Sequence, residues 1–147
     1  MTFEYATVAD TVAAIPPELW EDPEPYEYSG TGMSFTDAQV SLVSCTLTDN
    51  DSFHLMLQST DILLQDSLLS GDTTYGLYAY YLFGTITGNE FRAVEDAIYL
   101  WSSDPDEQIG DLTIEDNLFD GVGNGVRSTY LSRTVSVVDN TFVSTLD

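Results

Sequence analysis

Apolar and polar positions along the chain repeat a phrase: an aliphatic residue, two residues, a small or polar residue, one residue, then Leu or Phe. It reads LVSCTL at 42–47, LLQDSL at 63–68, ITGNEF at 86–91, IEDNLF at 114–119 and VVDNTF at 137–142. The polar anchors are Cys45, Asp66, Asn89, Asn117 and Asn140, at intervals of 21, 23, 28 and 23 residues. A second phrase follows the first four copies, at 55–57, 77–79, 98–100 and 126–128, and in three cases a small residue precedes it (Gly76, Ala97, Gly125). Both phrases alternate apolar and polar residues, which predicts short strands with one buried face. Turns rich in Asp, Asn, Ser and Gly separate them. Such strands cannot bury an apolar face singly, whereas stacking one repeat on the next buries it.

Recurrence of one residue class at one phase assigns the columns. Leu42, Leu63, Ile86, Ile114 and Val137 are expected in the interior, together with Leu47, Leu68, Phe91, Phe119 and Phe142. The anchors are expected at a turn, where stacked Asn side chains can hydrogen-bond from one strand to the next at the spacing of about 4.8 Å. The segments TIEDNLFDGVGNGVR and VSVVDNTF carry a resemblance to the right-handed parallel β-helix family in its Asn-turn form. The resemblance covers roughly residues 33–147 and implies an all-β, single-stranded parallel β-helix of about five coils. The longest interval places its extra residues at 102–108, an acidic loop protruding from the stack.

Residues 1–32 are read as a separate N-terminal arm. Residues 7–15 predict a short helix ended by Pro16 and Pro17, with Val8, Val12 and Ile15 on one face. It either caps the first coil or docks the stack onto a larger assembly. The acidic stretch from Glu18 carries Trp20, Tyr26 and Tyr28 and is suited to lie extended across a partner. At the other end the chain stops five residues after Phe142, so the last coil is expected to be open to pairing.

The 147 residues include three arginines, no lysine and 25 acidic residues, for a formal charge of −22. Hydrophobic residues make up 43%, enough for an ordinary core, so the acidic excess belongs to the surface. That surface excludes nucleic acid as a partner, and an anionic membrane with it. It resembles the surface of proteins from extreme halophiles, where a Debye length of about 3 Å in molar salt screens the self-repulsion.

Little catalytic chemistry is legible. A single cysteine excludes an intrachain disulfide, and Cys45 reads as a small buried residue. His54, the sole histidine, sits in a strand pattern and reads as structural. Many β-helix proteins act on polysaccharides with clustered carboxylates, often with Ca²⁺ and a basic residue. Asp96, Glu115 and Arg127 are the nearest approach to such a set, and the acidic loop with Asp104, Asp106 and Glu107 reads as solvated. No catalytic residue, metal or cofactor is expected.

The informative surface is aromatic. The outward column of the second strand is Met56, Tyr78, Tyr99 and Arg127, and the next is Gln58, Tyr80, Trp101 and Thr129, with Tyr75 and Tyr81 nearby. This patch predicts either a self-association face or a platform for stacking sugars. Short β-helices resemble domains of viral tail spikes, fibres and capsid decorations, which are commonly trimers. The expectation is therefore a non-enzymatic virion protein of a halophilic archaeon's virus. It would be a homo-oligomer, with a trimer favoured, and would dock to other virion proteins through the arm. It would be assembled in the host cytoplasm, since no secretory signal is visible. The alternative is a carbohydrate-binding module recognising a cell-surface glycan, and an enzyme on acidic polysaccharide ranks third.

Overall fold

A computed structural model describes residues 2–4, 7–9, 31–101, 111–129 and 134–144. Every regular element among them is a strand. In chain order these are β1 (Thr2–Glu4), β2 (Thr7–Ala9), β3 (Thr31–Thr36), β4 (Gln39–Val43), β5 (Thr46–Thr48), β6 (Phe53–Gln65) and β7 (Leu68–Thr87). They continue as β8 (Glu90–Trp101), β9 (Leu112–Glu115), β10 (Leu118–Asp120), β11 (Asn124–Thr129), β12 (Val135–Val138) and β13 (Thr141–Val143). All described pairings are parallel, and each links a segment to its counterpart in the next coil, 21–28 residues on for all but β1 and β2, which pair 39 residues on. This is the right-handed parallel β-helix that the repeat predicts.

Three sheets run along the axis. The first stacks β1, β4, the ends of β6 and β7, β9 and β12. The second stacks β2, β5, the starts of β7 and β8, β10 and β13. The third stacks β3, the start of β6, the middle of β7, the end of β8, and β11. The corners between sheets are made by single residues in the left-handed region, and these stack in register too. Asp37, Ser59 and Tyr81 form one column, with φ of 50, 48 and 57°. Ser44, Asp66, Gly88, Asp116 and Asp139 form the second, and Asp49, Gly71, Ala93 and Gly121 the third. Asp, Ser and Gly suit these places because Gly carries no Cβ and short polar side chains bond locally to the backbone.

The core is the stack of inward positions. Leu42, Leu64, Ile86 and Ile114 fill it from the first sheet, Leu47, Leu69, Phe91 and Phe119 from the second, and Leu55, Leu77, Ile98 and Leu57 from the third, all at 0% exposure. Phe91, Phe119 and Phe142 stack ring on ring, with centroids 5.2 and 4.8 Å apart and planes within 12°.

The anchor column continues this order in hydrogen bonds. The Cys45 N–H donates to Ser67 Oγ at 3.0 Å, and those of Ser67, Asn89 and Asn117 donate to the Oδ1 atoms of Asn89, Asn117 and Asn140, each at 2.9 Å. Each Asn amide group donates back to a carbonyl of the preceding coil, on Leu64, Ile86 and Ile114. The ladder therefore satisfies backbone groups that the bends would otherwise leave buried and unpaired.

Four expectations are corrected. Ser67, not Asp66, is the second anchor, and Leu64 and Leu69 are the inward residues. Leu63 is 36% exposed, because a slip of one residue turns every side chain to the other face. The doublets Leu63–Leu64 and Leu68–Leu69 make both phases readable in sequence. Residues 7–9 are strand β2, not the start of a helix, since they pair with the free edge of β5 and that pairing overrides local propensity. With Phe3 opposite Leu42 and Val8 opposite Leu47, the segment FEYATV at 3–8 is a sixth copy of the phrase. Finally, Val137 and Phe142 are 44% and 58% exposed, because the described chain stacks nothing on its last rung. Val12, Ile15, Trp20, Tyr26, Tyr28 and the 102–108 loop lie outside the described residues.

Candidate functional site

Outward positions of the third sheet carry the candidate site. The register sets Met56 beside Tyr78, Tyr78 beside Tyr99 and Tyr99 beside Arg127, and the neighbouring column runs Gln58, Tyr80, Trp101, Thr129. Both columns stand as the alternation predicts. The phase is fixed by the residues behind them. A Cβ added at Gly76 would lie 2.7 Å from the Ala97 carbonyl and 3.1 Å from the Phe91 ring, so no larger side chain fits at that inner corner.

Rings contact along and across the rungs. Tyr78 meets Tyr99 at 5.4 Å with planes tilted 39°, and Tyr80 meets Trp101 at 4.7 Å with a tilt of 44°. Tyr81, at a left-handed corner, packs its edge against Tyr80 at 4.1 Å and accepts a hydrogen bond from the Tyr80 hydroxyl. Phe53 and Tyr75 extend the cluster, stacked at 5.3 Å, with both edge-on to Tyr78. Sequence reasoning noted Tyr75 only as a neighbour and missed Phe53. Their spacing of one coil was the available signal, but strand parity alone placed both facing inward.

A polar group closes the face at its β11 end. Asp96 is 2% exposed, accepts from Asn124 Nδ2 at 2.6 Å, and pairs with the Arg127 guanidinium at 3.1 Å. Arg127 also lies over the Tyr99 ring at 5.3 Å, and the Tyr99 hydroxyl bonds Thr129 Oγ1. Burial and the nearby Asp96 carboxylate push the Tyr75 phenol above its ordinary value. Of the three charged residues considered for catalysis, Asp96 and Arg127 come together. Glu115 lies in β9 on the first sheet and pairs with Thr87 and Val138.

His54 lies behind this face, at the inner corner held by Gly32 and Gly76 in the adjoining coils. Its Nδ1 accepts from the Asn50 amide at 2.9 Å, and its Nε2 has no partner among the described residues. Desolvation lowers its pKa from 6.5 to about 4, against the smaller opposing pull of Asp49. The folded pKa is depressed, so below pH 6.5 the unfolded chain binds a proton that the folded one refuses. Stability present above pH 6.5 is lost as pH falls towards 4, by about 3 kcal/mol in all. Urea unfolding at pH 7, 5.5 and 4 will show this loss in the wild type, beyond that of His54→Asn, whose remaining slope comes from carboxylates.

A family model described as NosD, periplasmic copper-binding protein, matches residues 25–146. No curated protein and no solved structure matches the chain.

Proposed function

The chain belongs to the NosD family, and from that premise we propose that it is a binding β-helix rather than an enzyme, holding a linear, neutral carbohydrate along the aromatic face of its third sheet. The observation that carries this reading is the pair of in-register columns, Met56–Tyr78–Tyr99–Arg127 and Gln58–Tyr80–Trp101–Thr129. Their rungs repeat at about 4.8 Å, close to the advance of one sugar in an extended glycan. Tilted, partly exposed Tyr and Trp rings offer faces to the C–H surfaces of sugars, and Arg127 and Asn124 supply donors at one end. The charge of −22 disfavours an anionic chain, and Arg127, the one described cation on this face, is already paired with Asp96.

The family description is of a periplasmic protein, and nothing in it favours a virus particle or a halophilic source. The aromatic face thus remains the binding surface, with a glycan in place of a virion partner. Calorimetric titration with neutral linear oligosaccharides tests it. Trp101→Ala is expected to weaken binding at least about tenfold, the size of an interface anchor. Unchanged binding would overturn the proposal. Light scattering on the same variant separates the competing role: if Trp101→Ala converts an oligomer, such as the expected trimer, to monomers, the face joins copies of this chain.

A further inference from the structure

We infer that this chain, although a member of a family described as copper-binding, builds no copper site among its described residues, so that its β-helix carries the family's fold without the family's metal.

Copper in proteins is held by soft or imidazole ligands, namely Cys, Met and His, brought together around one point. The whole sequence offers one histidine, one cysteine and three methionines. The fold separates those it describes. His54 is at 0% exposure, and its Nδ1 accepts a hydrogen bond from the Asn50 amide. The ring proton is therefore on Nε2, the nitrogen that would have to be bare to bind a metal. A metal-ligating histidine shows the opposite arrangement, donating its second N–H to a carboxylate or carbonyl. Cys45 is also buried, and its thiol donates to the Val43 carbonyl. It stands at the corner before β5, whereas His54 stands in β6, beyond the next corner. The two described methionines lie on opposite faces of the third sheet. Met33 pairs with inward Leu55 and packs on the core, while Met56 is in the outward column.

Oxygen ligands do not replace them. One acidic cleft among the described residues, about 480 Å³, is lined by Asp51, Asp72 and Glu95 with Thr73 and Thr74. Yet no three His, Cys, Asp or Glu side chains among the described residues converge on a common point.

The test uses the full chain loaded with one equivalent of Cu(II), or of Cu(I) under reducing conditions, then desalted in buffer containing NaCl. Retained copper is read by atomic absorption, and the melting temperature is read with and without metal. No more than about a tenth of an equivalent is expected to remain, held by surface carboxylates, with no rise in melting temperature. His54→Asn and Cys45→Ser are expected to retain the same trace. A full equivalent retained by the wild type, together with a higher melting temperature, would overturn the inference even if neither variant folds. A thiolate-to-copper absorption band that disappears in Cys45→Ser would overturn it as well.

Discussion

Asn117→Ala will lower the stability of the protein by about 4 kcal/mol, the cost of orphaning two or more buried polar groups at about 1–3 kcal/mol each. The Asn117 Oδ1 accepts from the Asn89 N–H and from the Asn89 side-chain amide, and its Nδ2 reaches the carbonyls of Ile86 and Glu115. Alanine removes these contacts together with the one from Nδ2 to Asn140 Oδ1, in a place where Asn89 and Asn117 are both 1% exposed and water cannot substitute. Asn140 occupies the same column one coil on, where its neighbours Val138, Asp139 and Thr141 are exposed. There Asn140→Ala orphans the Asn117 N–H at an end that solvent reaches, for about 1 kcal/mol. Urea unfolding of the two variants side by side measures the difference. Equal losses would mean that the ladder acts through local bend geometry and not through burial.

Phe119→Ala is expected to cost about 4 kcal/mol, within the range for truncating a buried aromatic residue. Phe119 is fully buried between Phe91 and Phe142, and the removed ring leaves a void in the middle of a column that neighbouring coils cannot close without breaking register. Phe142 stacks on the same column from outside and is 58% exposed, so Phe142→Ala should cost about 1 kcal/mol. A second signature follows from the architecture. Each coil touches only its neighbours, so stability is a sum of coil and interface terms. Weakening the Phe119 coil uncouples the rungs on either side, and the thermal transition of Phe119→Ala should broaden as well as shift, whereas that of Phe142→Ala should only shift.

The parts of this molecule that were legible in the sequence are those where a single residue type fixes the phase. Asn89, Asn117 and Asn140 allow one alignment, and the coils built on them stand as the phrase predicts. Where neighbouring residues are alike the phase blurs, and Leu63–Leu64 beside Asp66–Ser67 shows it. Both Asp66 and Ser67 suit a turn, and only the bond from the Cys45 N–H to Ser67 Oγ separates them. The first copy is hidden in the sequence because Ala6 fills the anchor position and stands at an interval of 39 residues from Cys45. On the aromatic face, the columns were readable because Gly76, Ala97 and Gly125 mark the same corner. The contact of His54 with Asn50 was not, because it depends on how a bend folds back, and bends leave no periodic trace. The Asp96–Arg127 pair lay between these cases: its residues stood out as charged neighbours across coils, while Glu115 stood out equally and faces another sheet.

Strict registry has a consequence for how a chain with 25 acidic residues can be arranged at all. A position repeated at every rung would set identical carboxylates about 4.8 Å apart along the whole axis, where like charges directly opposite are destabilising. Along the described ladders no acidic residue is paired with another. Asp61 stands between Gln39 and Phe83, Glu90 between Leu68 and Leu118, and Glu115 between Thr87 and Val138. Asp120 is set against Arg92, and Asp96 has Tyr75 on one side and Asn124 on the other. At the second corner Asp66 and Asp116 are kept apart by Gly88, and Asp116 and Asp139 adjoin only at the last, exposed bend. The repeat thus conserves the shape of each position while alternating its charge, and a duplicated coil, faultless in its packing, would bring its carboxylates face to face.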